Sequence, residues 1–226
     1  MEDSFTLSLS GTSSVLEAQF FPPIELSSKK NYVLGLVELW TFNSIPNIDE
    51  HNNKFYIGEE VITLPTGSYE IEDIEKFLWK TLKDISISLK PNNNTLRSII
   101  KSSHPIDFTH RDSIGQLLGF THRILSPNTT HSSDLPVTIL KINALRIECN
   151  ITTGAYINGQ RVHTIHEFFP AVPPGYKIIE VPSNVIYLPI TVKSIDHIQL
   201  RIVDQNGKLI NFRGEIISIR LHIKSA

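Results

Sequence analysis

One cysteine, Cys149, and one methionine, the first residue, are all the sulfur that 226 residues carry. A lone cysteine excludes an internal disulfide framework and suits a reducing compartment such as cytosol or nucleus. Its setting, RIECNI, reads as a strand, so a buried and inert thiol is expected there, not a nucleophile. Long apolar runs are missing as well. No stretch approaches the roughly 20 apolar residues that a spanning helix needs, so no membrane association is expected. The opening MEDSFTLSLS puts acids first, without a basic region ahead of an apolar run, and does not read as a signal peptide. On that reading the sequons at Asn93, Asn128 and Asn150 are chance matches. Positive charge is not in excess either: the formal net charge is −2. Phosphate backbones call for a basic field, so no direct nucleic-acid binding is expected.

Catalytic signatures are equally sparse. No G-x-S-x-G elbow and no glycine-rich loop between a strand and a helix occurs. TGAYING, with two glycines between strands, reads as a hairpin or bulge. The densest group of ligating residues is VHTIHEFF, residues 162–169. His163 and His166 are three apart with Glu167 following, not four apart around a glutamate as zinc proteases require. On a strand the two histidines would point to opposite faces, so no metal site is expected, and no cofactor. Dispersed carboxylates of a hydrolase meet only in three dimensions, and nothing in the sequence suggests them.

What the sequence does have is alternation. Hydrophobic residues are 40% of the chain and charged ones 19%, a globular balance. Apolar positions recur at period two in FTLSLS, YVLGLVELWTF, KFYIGEEVITL, ISISL, LKINALRIECNI, YKIIEV and NVIYLPITV. About a dozen such runs, parted by SIPN, PNNN and PPG, predict a mainly β, antiparallel β-sandwich or barrel. Near the C-terminus IQLRIV, the turn DQNG, KLINF and the run from Ile217 to Ile223 predict a three-strand antiparallel meander. Two segments break the period. Ile71, Ile74, Leu78 and Leu82 form an apolar stripe that predicts an amphipathic helix over about 70–83, with Ser68 as cap. DSIGQLLGF predicts a short helix over about 112–118, ended by Gly119 in the left-handed region. ILSPNTTHSSDL, residues 124–135, reads as a mobile surface loop. The organisation expected is a flexible, weakly patterned N-terminal segment over residues 1–18 and a single domain over residues 19–226.

Two apolar corners stand out, FFPPIEL and EFFPAVPPGYKIIEV. Neighbouring phenylalanines on a strand face both ways, so one of each pair needs cover from another layer or another subunit. Phe20, Phe21, Phe168, Phe169, Pro173 and Pro174 are therefore candidate intersubunit contacts, with proline ending strand pairing at these points.

Several long segments, taken together, carry a resemblance: SIPNIDEHNNKFYI, ITLPTGSYEIEDIEKFL, IDFTHRDSIGQLLGF, ECNITTGAYINGQRVHTIHEFFPAVPPGYKIIEVPSNVIYLPI and IQLRIVDQNGKLINFRGEIISIRLHI. From about Pro22 to Ile223 the chain resembles the penton-like minor capsid protein of Polinton (Maverick) elements and adintoviruses. The resemblance implies a jelly-roll β-sandwich without catalytic residues or cofactor. It implies self-association, as a homopentamer at icosahedral vertices, beside the major capsid protein of the same element. The location it implies is the virion or a virus-like particle, assembled in the host cytoplasm or nucleus. The helix and surplus strands exceed a minimal eight-stranded jelly roll, which leaves room for an elaborated or doubled sandwich. From another class stands the alternative of a monomeric β-sandwich module that binds a glycan or receptor through its loops.

Overall fold

The computed structural model describes residues 4–139 and 142–226. The chain is mainly β, and it divides into two compact units: residues 1–45 with 142–226, and residues 46–141. The sequence suggested one domain over residues 19–226. Within that span the second unit is an insertion that gathers its own apolar residues into its own core.

The first unit begins with β1 (Ser4–Gly11), β2 (Val15–Glu25) and β3 (Tyr32–Phe42). The inserted unit follows with β4 (Lys54–Ile57), β5 (Glu60–Thr63), α1 (Ile71–Thr81), β6 (Ile87–Asn92), β7 (Arg97–Ser102), β8 (Ile106–Asp107), β9 (Ile124–Leu125) and β10 (Thr130–Ser132). The chain then returns through β11 (Leu145–Cys149), β12 (Ala155–Ile157), β13 (Gln160–Val162), β14 (Thr164–Phe168), β15 (Lys177–Glu180), β16 (Leu188–Pro189), β17 (Ser194–Val203) and β18 (Ile217–Ser225).

In the first unit one sheet runs β1-β18-β3-β15, with β16 also on β3, and the other runs β14-β11-β17-β2. Setting aside the β12–β13 hairpin and the short β16, eight strands remain, and the order is that of a jelly roll: first, eighth, third and sixth in one sheet, second, seventh, fourth and fifth in the other. The alternation seen in the sequence fills the core. Phe5–Ile223–Leu34, Leu7–Leu221–Leu36 and Leu9–Ile219–Leu39 line up as cross-strand rows on the first sheet. Leu16–Leu200–Cys149 is such a row on the second, and Ile147 pairs with Ile202 beside it. Residues 4–18, read above as a polar, weakly patterned segment, lie largely in β1 and β2; only residues 1–3 of that segment fall outside the described residues. Serine and threonine on the outward face disguised a strand whose inward face is Phe5, Leu7 and Leu9.

The expected C-terminal meander is not formed. Gly207, at φ +79°, does close a tight turn in which Asp204 N–H donates to Lys208 O at 2.8 Å. Leu209 bridges Val203, and Ile210 N–H donates to Ile202 O at 3.1 Å, after which the chain, burying Ile210 and Phe212, crosses so that β17 and β18 lie in opposite sheets.

In the inserted unit β5-β4-β8-β9 form one sheet and β10-β7-β6 another. The helix buries Ile71, Ile74 and Leu78. It spans Ile71–Thr81, shorter than expected, and its N-cap is Glu70, whose N–H donates to Asp73 Oδ2 at 3.4 Å, rather than Ser68. The short helix is a single 3-10 turn over Ile114–Gln116, with Ser113 Oγ accepting from Gly115 N–H at 3.1 Å. Gly119 takes the left-handed conformation at φ +82°, as its position predicts. Residues 124–135, read above as a loop, contain β9 and β10 and a buried Ser133. Among the described residues no helix is long and apolar enough to cross a membrane.

Candidate functional site

The two apolar corners sit on opposite edges of one sheet, because β14 and β2 are the outer strands of the order β14-β11-β17-β2. On β2 the register against β17 shifts, so that residues 20–23, FFPP, stand opposite Asp196. Proline at 22 and 23 removes two backbone donors, and the chain bulges outward. Phe20 packs half-buried against the core, while Phe21 is 101% exposed.

The other corner is a loop between β14 and β15 held by one residue. Asn43 Nδ2 donates to Val172 O at 2.7 Å, Asn43 N–H donates to Tyr176 O at 2.8 Å, and Gly175 N–H donates to Asn43 O at 2.7 Å. Gly175 has φ +84°, a turn conformation that favours glycine. Phe168 points inward and is buried; Phe169 is 69% exposed, with Pro173 and Pro174 exposed beyond it. Each phenylalanine pair thus divides between core and solvent, as alternation requires. The structure brings Phe169, Pro173 and Pro174 together on one loop, leaves Phe168 in the core at the end of β14, and keeps Phe20 and Phe21 at the far edge.

Beside this loop Tyr176, Ile179 and Val181 are exposed too, and sequence reasoning passed over them. The signal was present: Ile178 and Ile179 are another adjacent apolar pair, of which Ile178 is buried.

VHTIHEFF resolves into separate contacts. His163 Nδ1 lies 2.8 Å from Thr152 O, and His166 Nε2 lies 2.8 Å from Glu180 Oε1. Glu167 accepts from Arg146 Nε at 2.6 Å. Among the described residues no group of three or more His, Cys, Asp or Glu is arranged to hold a metal ion. Cys149 is buried at 0% exposure, and burial pushes its thiol up to about 11, far from a thiolate nucleophile at neutral pH. In the inserted unit Tyr56 OH donates to Asp112 Oδ1 at 2.9 Å and its ring stacks on His110 at 3.9 Å. Burial and the Asp112 contact raise the Tyr56 phenol. The Thr109 hydroxyl and N–H, both donating to Asp107, lower that carboxyl, and Thr121 lowers Asp134 in the same manner. These carboxylates tie down turns.

A recess of about 300 Å³ lies in the inserted unit, lined by the start of α1 at Glu70 and Ile71, the β6–β7 turn at Asn93, Leu96 and Arg97, and Val137. Leu96 has φ +56°, uncommon for a leucine, and its side chain is exposed.

No protein-family model matches the chain, and no curated protein matches it in sequence. The fold is similar to that in the crystal structure of the mavirus penton protein, with a TM-score of 0.53 and 12% identity over 99% of this chain and 100% of that one. At this identity the likeness shows the fold, and it spans the whole of both chains.

Proposed function

We propose that the chain is a structural, non-catalytic capsid subunit: a penton-like minor capsid protein, of the kind the resembled Polinton and adintovirus family carries, that assembles as a homopentamer at the vertices of an icosahedral particle with a major capsid protein. The observation that carries the reading is the jelly-roll strand order with an inserted unit, matched end to end by a penton protein fold. The corners support it. A ring needs a head-to-tail contact in which one surface meets a different surface of the next copy. The chain offers exposed Phe21 at one edge of a sheet and exposed Phe169, Pro173 and Pro174 at the other.

Light scattering of the purified chain tests the ring, with a mass of five chains or a multiple of five expected. Electron microscopy of the chain coexpressed with its major capsid protein tests vertex placement. A single-chain mass at all concentrations, with no incorporation into particles, overturns the reading. The monomeric recognition module has one feature in its favour, the recess, whose lining includes the charged Arg97 and Glu70 and the apolar Ile71 and Val137. A glycan array gives no hits if the capsid reading holds.

A further inference from the structure

Strand edges in the first unit are guarded, with one exception. A sheet edge offers unpaired N–H and C=O groups to any passing strand, and proteins block it with proline, charge, bulges or very short strands. β2 carries Pro22, Pro23 and a bulge, flanked by Glu17 and Glu25. β15 has four residues, with Lys177 and Glu180 at its ends, and β14 has Glu167. β1 has none of these. Its eight residues, SFTLSLSG, hold no proline and no charge, and they pair with β18 residue for residue without a bulge. Among the described residues its other edge is unpaired. The interior there is unfinished as well: Phe5 and Leu7 point to the core yet remain partly exposed, where their row neighbours Ile223, Leu221, Leu34 and Leu36 are buried.

We infer that β1 is a pairing edge for the β1 of a second copy of this chain, the two joined antiparallel about a two-fold axis through Leu7. The sequence is complementary to itself in that register. Phe5 faces the partner's Leu9 and Leu7 faces its equivalent, which extends the apolar rows across the seam. Ser4 faces the partner's Ser10 and Thr6 faces the partner's Ser8 on the outside, where hydroxyl pairs are favourable and no like charges meet. An isologous contact of this kind closes at two copies. It goes beyond the proposed ring, whose contacts are head-to-tail, and does not depend on it.

The test uses the exposed face of β1, leaving its inward residues alone. In the chain itself residue 6 stands opposite His222 and residue 8 opposite Arg220, so acidic side chains at these positions are tolerated by the fold. Thr6→Glu with Ser8→Glu sets two pairs of facing carboxylates across the two-fold seam. Thr6→Lys with Ser8→Glu sets two opposite-charge pairs instead. Analytical ultracentrifugation of the full chain carrying Phe21→Ser and Phe169→Ser, which remove the proposed ring contact, is expected to show two-fold association with β1 unchanged, weakened about tenfold or more by the doubly acidic pair and recovered with the charge-paired one. Circular dichroism checks that all three fold. The inference is overturned if the doubly acidic variant associates as the chain with β1 unchanged does, or if the charge-paired variant stays as weak as the acidic one. Its failure and that of the ring are distinct: losing the ring contact leaves dimers, and losing the β1 contact leaves rings.

Discussion

His166 Nε2 and Glu180 Oε1 lie 2.8 Å apart and join the outer strand of one sheet, β14, to the outer strand of the other, β15. The two residues flank the loop that carries Phe169, Pro173 and Pro174, so one contact fixes both ends of a candidate assembly surface. With side chains 15% and 24% exposed, the pair is better shielded than an ordinary surface ion pair. His166→Ala and Glu180→Ala are each expected to cost about 1 kcal/mol. Urea unfolding of the two single variants and the double variant checks it: the double should lose clearly less than the sum of the singles.

A second pairing protects the inserted unit. Glu75 accepts from Leu89 N–H at 2.9 Å, and Trp79 Nε1 donates to Ile87 O at 2.5 Å. Residues four apart on α1 thus satisfy the backbone of β6, whose strand partner is β7. A part-buried amide bonded to a carboxylate is costly to strand, so Glu75→Ala is expected to destabilise the unit by roughly 1–3 kcal/mol. Hydrogen exchange at the Leu89 amide should accelerate in step.

Gly119 allows no side chain. At φ +82° an added Cβ would stand 2.2 Å from Leu135 O, a backbone atom that cannot swing away. Gly119→Ala combines that clash with an unfavourable backbone conformation and should cost at least about 2 kcal/mol. Gly159, with a similar φ of +79° but open space around its Cβ position, is the control. Gly159→Ala should cost only the conformational part, and thermal melts of the two variants should differ clearly.

How much of this was legible in the sequence depended on whether a feature is local. The stripe Ile71, Ile74, Leu78 fixes a helix face by spacing alone, and that face is buried. Alternation in IQLRIV and in residues 217–223 fixed two strands and their inner faces, but period two does not say which strand lies beside which. That is why a meander was expected where the chain crosses between sheets. The inserted unit left no mark because its boundary, near Ile45 and Pro46, has the same proline and asparagine composition as an ordinary turn. For the corners, adjacency sufficed: Phe20–Phe21 and Phe168–Phe169 had to split between core and solvent. The loop's anchor, Asn43, is over 120 residues away from Val172 in sequence and had no local signal.

Cys149 makes stability depend on alkaline pH. Burial raises its thiol from 9.0 to about 11, so the unfolded chain loses the proton first as pH rises. Its contribution is fully present below pH 9 and is lost as pH climbs from 9 through 11. Unfolding free energies measured across that window should fall in the wild type, and this share of the fall should be missing from Cys149→Ala. Thiol reagents at pH 8 should leave the native chain unmodified and label it in urea.

Adjacent phenylalanines should separate folding from assembly. Phe168 is 7% exposed and belongs to the core, so Phe168→Ala removes a buried ring and is expected to cost about 3–5 kcal/mol. Phe169, one residue on, is 69% exposed, and Phe21 is wholly so. Phe21→Ser removes nothing the isolated subunit buries and Phe169→Ser removes little, and each should shift its stability by no more than about 0.5 kcal/mol. If those rings are covered by a neighbouring copy, each loses its partner surface in the variant, and the ring mass should fall at a protein concentration where the wild type is fully assembled. Melting temperature and light scattering on the same samples check both halves. A variant that melts like the wild type and assembles like it would remove that phenylalanine from the subunit contact and leave it a solvent-facing residue.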